Sequence, residues 1–127
     1  MDILIESLII DANSEFKTDT DANFTLDVKT IEEGHLVSLS RAQIIPCSLE
    51  KIDLPEQCTY YADSNGNQNI LCPRNKDIVT SVMMLILEKI EDIGWKISKV
   101  SIQSNQQLID YPKVVEAYSR NSDVIFS

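Results

Sequence analysis

A chain of 127 residues with 43% hydrophobic and 24% charged side chains is one domain's worth of sequence. It can bury a core of its own and is too short for two. Its net charge of −9 is uneven, with 13 acidic and 4 basic side chains in residues 1–63 and 7 of each in residues 64–127. Such a surface repels nucleic acid and anionic membranes and attracts a basic protein.

Asp2–Ile10 is dominated by isoleucine and leucine and reads as a strand. Ile3, Ile5 and Ile9 share one parity and Leu4, Leu8 and Ile10 the other, which predicts burial on both sides. Asp11–Ala22 is polar and reads as an acidic loop. Asn23–Ile31 alternates, with Phe24, Leu26 and Val28 on one side and Thr25, Asp27 and Lys29 on the other. That is the pattern of a half-buried strand in an antiparallel sheet. Glu32-Glu33-Gly34 makes the turn and His35–Leu39 returns, with Val37 and Leu39 inward. This strand has room to run on to Ile45, where Pro46 stops it.

Gln57–Ala62 and Asn69–Cys72 form a second hairpin, because Asn65-Gly66 tolerates the positive φ of a tight turn. A three-residue loop at Ser64–Gly66 pairs Asp63 with Asn67, and the same register sets Cys58 opposite Cys72. In the hairpin, one of Tyr60 and Tyr61 must face away from the core. Asp77–Ile93 then reads as a long amphipathic helix, with Val82, Ile86 and Ile90 among the most buried residues. Asn75 or Asp77 caps its start, and Gly94 suits the position just past its end. Trp95–Ile102 is a strand whose apolar parity changes midway, so a bulge is expected near Ser98-Lys99. Pro112–Arg120 reads as a short helix and Asp123–Phe126 as a final strand. The predicted fold is α+β, a single domain over 1–127: a mainly antiparallel sheet with one long helix (77–93) packed on it and a short C-terminal helix.

No familiar catalytic pattern is present. Gly34, Gly66 and Gly94 are too far apart for a phosphate-cradling loop. Asp11-Ala12-Asn13-Ser14-Glu15 opens like a calcium loop, but Phe16 stands at its sixth position and Ala22 at its twelfth. The turn needs glycine at the first of these, and the ion needs a bidentate glutamate at the second. His35 is the only histidine, and Cys47, Cys58 and Cys72 lack metal-site spacing, so no metal or cofactor is expected. Three cysteines without a secretory signal read as free thiols, with Cys58–Cys72 the pair able to close under oxidation. The start at Met1 lacks the basic and apolar regions of such a signal, and no run of roughly 20 apolar residues could cross a bilayer, so a cytoplasmic site is expected.

The expectation is a non-catalytic, acidic protein-binding module, in its most specific form an immunity or inhibitor protein that neutralises a basic toxin such as a nuclease. A secretion chaperone, a structural subunit of a larger complex, and an enzyme or small-molecule binder with an unfamiliar site are the alternatives. The contact residues expected are Asp11, Glu15, Asp19 and Asp21 in the acidic loop, Glu32 and Glu33 at the turn, and Tyr60 or Tyr61 as an apolar anchor.

Overall fold

The computed structural model describes residues 5–14, 21–41, 48–64, 67–103, 116 and 123–126. Among them, seven strands make one sheet: β1 (Ile5–Ser14), β2 (Asp21–Ile31), β3 (Gly34–Arg41), β4 (Thr59–Ala62), β5 (Gln68–Cys72), β6 (Trp95–Gln103) and β7 (Asp123–Phe126). Their order across the sheet is β4-β5-β3-β2-β1-β6-β7. Neighbours run antiparallel except β6 and β7, which are parallel. One long helix, α1 (Lys76–Asp92), and a single 3-10 turn at Leu49–Lys51 complete the description. The fold is α+β.

The alternation of β2 decides which face is buried. Phe24, Leu26 and Val28 have no solvent exposure, and neither do Val37 and Ile70 on the neighbouring strands. Helix α1 lays Val79, Val82, Met83, Ile86, Leu87 and Ile90 into the same core. Trp95 adds an edge-on contact to Phe24, ring centres 5.9 Å apart. The Asn75 side chain accepts from the backbone N–H groups of Asp77 and Ile78, satisfying two of the donors every helix start leaves free. Gly94, at φ +101°, turns the chain straight into β6. Leu49 is buried as well, its N–H donated to Gln68 Oε1 at 2.6 Å, which ties the 48–58 segment to β5.

The long helix and the 123–126 strand stand where the sequence puts them. The parity change in β6 is resolved as expected, because Asp11 pairs with Lys99 and Ala12 with Ile97, leaving Ser98 as the extra residue. The acidic loop is shorter than predicted. β1 continues through Asp11 to Ser14 and β2 starts at Asp21. β1 has a partner on each side, β2 and β6, so ladder hydrogen bonds override the low strand propensity of Asp and Asn. Of the expected helix at 112–120 only Glu116 is described, and it is helical. Residues 1–4, and the possible extension of β3 over 42–45, lie outside the described residues.

Candidate functional site

The sheet has two faces, and they differ in chemistry. α1 and the 48–58 segment both put their apolar side chains, Ile52 and Leu54 included, into the core on one face. On the other, the described side chains of β2, β3, β4 and β5 are largely polar and partly open to solvent. Neighbouring strands set these residues in transverse rows. In one row Tyr61 pairs with Asn69, Asn69 with Ser38 and Ser38 with Asp27. In the next, Thr59 pairs with Leu71, Leu71 with Leu36 and Leu36 with Lys29.

This arrangement gathers an apolar patch on an otherwise polar face. Leu71 and Leu36 are directly opposed, about 5 Å apart between Cβ atoms in such a pair, and Tyr61 stands on the diagonal from Leu71. All three are at least partly exposed, and Tyr61, at 42%, is the most exposed large apolar side chain described. Beside them, Asn69 is held rigid although it lies on the open face. Its Oδ1 accepts from Ser38 Oγ at 2.6 Å and its Nδ2 donates to the Asn67 carbonyl at 3.3 Å. The patch therefore rests on a fixed polar support.

Charge surrounds the patch. Asp27 borders it in the adjoining row, and the exposed Glu32-Glu33 turn closes its lower end. Arg74 fixes that turn, donating from Nη2 to the carbonyls of Ile31 at 2.7 Å and Glu32 at 3.3 Å. Lys29 in the patch rows and Arg74 at the turn are the basic side chains here, so three carboxylates stand near two cations and the local balance is only mildly acidic.

Of the residues expected to bind, Tyr61 lies in the Asn69–Ser38 row of the open face, and the Glu32-Glu33 turn lies past the Leu36 end of the patch, two strands across and several residues along from Tyr61. Tyr60 faces the core and packs on it. Asp11 and Asp21 are strand residues, not loop residues, with Asp11 opposite Asn23 and Lys99 and Asp21 opposite Asn13. Asp21 and Glu32 lie at opposite ends of β2, about 35 Å apart at roughly 3.3 Å of rise per residue. Glu15 and Asp19 lie outside the described residues. Sequence reasoning missed Leu36 and Leu71. Each is the one leucine on the outward face of its strand, and only the β3–β5 pairing brings them together.

Comparison with protein-family models, with curated proteins and with solved structures gives no match. The site must be read from its own chemistry.

Two other places bear on that reading. Cys58, Cys72, His35 and Thr30 form one row on the core side of the sheet. The two sulfurs are 3.6 Å apart, and His35 Nδ1 is 3.0 Å from Thr30 Oγ1. Burial pushes the Cys72 thiol well above its usual range, and the nearby Cys58 adds to the effect. Burial raises Cys58 too, although its contact with Cys72 works the other way. His35 is held low by burial and by the Arg74 charge. A catalytic thiol needs its pKa lowered, whereas burial acts in the opposite direction on both sulfurs here. The second place is a depression of about 190 Å³ where Ile52 and Asp53 meet Leu85 and Glu88. Ligand pockets usually enclose about 300–1,000 Å³, so it is too small for most. Among the described residues no three potential metal ligands cluster, and no helix is long and apolar enough to cross a membrane.

Proposed function

We propose that this protein is a non-catalytic binding module that docks a basic protein on the β4 side of its open sheet face. The observation that carries the reading is the juxtaposition of Tyr61, Leu71 and Leu36 beside Asp27, Glu32 and Glu33. Binding energy at protein interfaces concentrates in a few large apolar side chains, tyrosine prominent among them, enclosed by a polar rim. The three apolar side chains supply such a centre, and the acidic rim favours a cationic partner. The overall charge of −9 acts at longer range, drawing that partner in before contact. In its most specific form the module is a cytoplasmic immunity or inhibitor protein that covers the basic active surface of a toxin such as a nuclease. Covering a cationic surface requires shape and charge but no catalytic group, and this fits the chemistry of the site.

The test is affinity capture from a lysate of the host, using the parent chain and a Leu36→Asn, Tyr61→Ala variant side by side. The reading expects a basic protein held by the parent and lost by the variant, and co-expression of the parent should suppress that protein's activity. Equal capture by both chains would place the contact elsewhere. Capture of acidic proteins alone would defeat the charge argument.

A further inference from the structure

The β4–β5 hairpin brings together two thiols that the proposed binding role does not use. Asp63 N–H donates to the Asn67 carbonyl at 3.0 Å, which makes 63 and 67 a hydrogen-bonded pair. Such pairs alternate along an antiparallel ladder. Tyr61–Asn69 and Thr59–Leu71 are therefore hydrogen-bonded positions, and Cys58–Cys72, the next pair out, is not. At a non-hydrogen-bonded position the two Cα atoms approach to about 4.5 Å and the side chains lie closest. That separation is within the range a disulfide spans. The sulfurs are already in contact at 3.6 Å, on the same face, with Cys58 half-exposed and Cys72 1% exposed. The Cys58 amide is turned away to the Pro55 carbonyl at 3.0 Å, so no ladder bond has to break when the sulfurs close.

We infer that Cys58 and Cys72 form a reversible dithiol–disulfide site, oxidised by a small-molecule disulfide such as glutathione disulfide, whose closure staples the edge strand β4 to β5. Cys58 reacts first because it is the thiol that solvent reaches. It loses its proton, and its sulfur attacks one sulfur of glutathione disulfide. The glutathione S–S bond breaks, and one glutathione leaves as thiolate and takes up a proton. Cys72 then loses its proton and attacks the Cys58 sulfur, forming the Cys58–Cys72 bond. The second glutathione is expelled and protonated. Two protein thiols are oxidised and one glutathione disulfide is reduced to two glutathiones. Burial raises both thiols, so the reaction is slow at neutral pH and accelerates about tenfold per pH unit as the thiolate fraction rises.

The test uses the full chain with Cys47→Ser, equilibrated in glutathione buffers of increasing oxidised fraction, quenched in acid, alkylated and mapped by mass spectrometry. The expected product has lost two hydrogens, joins Cys58 to Cys72, and reverts with dithiothreitol. It should melt about 10 °C above the reduced form, because the bond closes a loop of about 15 residues in the unfolded chain. With Cys72→Ser added, the reaction should stop at one glutathione on Cys58. Should that variant fail to fold, the Cys72-containing chain decides alone. Both thiols still open to alkylation in fully oxidised buffer would overturn the inference. So would glutathione accumulating on Cys58 beside an intact Cys72, a pH-independent rate, or an oxidised form that melts no higher.

Discussion

His35 is the one described side chain whose charge state should be felt near neutral pH. Its imidazole is buried, with Nδ1 engaged by Thr30, and burial first and the Arg74 charge second hold it below its ordinary 6.5. A histidine depressed in the fold stays neutral there while the unfolded chain takes up its proton. The stability tied to it is complete above pH 6.5 and is lost as pH falls through the folded-state value. Urea midpoints measured from pH 7.5 down to 5 should therefore fall, and His35→Gln should flatten that part of the slope. An unaltered slope would show that other groups carry it. Nearby, Gly34 is fixed by its φ of +149° and by the close approach of the Cys72 carbonyl to where a Cβ would stand. Because that carbonyl belongs to the neighbouring strand, Gly34→Ala should cost about 1–3 kcal/mol by chemical denaturation.

At the scale of elements, α1 and the open face should respond oppositely to truncation. Ile86 has no exposed surface and sits mid-helix against the sheet, so Ile86→Ala should cost about 2–5 kcal/mol. Tyr61→Ala should change stability by no more than about 0.5 kcal/mol, because its ring stands on the solvent side. Denaturant titrations of the two variants separate a core residue from a contact residue, and a large loss at Tyr61 would assign it to the fold. These elements were legible for local reasons. The 3.6-residue period of 77–93, the strict alternation of 23–31 and the Asn65-Gly66 signal in the sequence between β4 and β5 each act within a few residues of chain. The hairpin register, and with it the Cys58–Cys72 pair, follows from the turn alone. The reach of β1 into Asp11–Ser14 was not legible, since it depends on β6, more than eighty residues away. The Leu36–Leu71 contact was hidden for the same reason: neither strand's own sequence names its neighbour.

At the scale of the molecule, the sheet divides the acidic residues that composition treats as one group. The Glu32-Glu33 turn borders the Tyr61 patch, while Asp21 lies at the far end of β2. Once a partner is in hand, the charges at the two ends can be removed separately. Glu32→Gln with Glu33→Gln should slow association and reduce its salt dependence, since charges at the rim act mainly on encounter. Asp21→Asn should do much less, with screening over roughly 10 Å at 0.1 M salt isolating it from the contact. Association rates across a salt series decide, and equal effects at both ends would mean the partner spans the sheet.

The central place of β1 also fixes an order of events in time. Its partner β2 follows it directly, but its other edge is closed by β6, which begins only at Trp95. While the chain is being synthesised, five strands and a helix emerge before that edge can be covered. Until then the isoleucine-rich N-terminal strand offers a free row of backbone donors and acceptors to any other nascent chain. Late arrival of β6 makes the protein's vulnerability a matter of expression temperature and elongation rate more than of final stability. Fragments released before Trp95 should aggregate even where the complete chain is soluble.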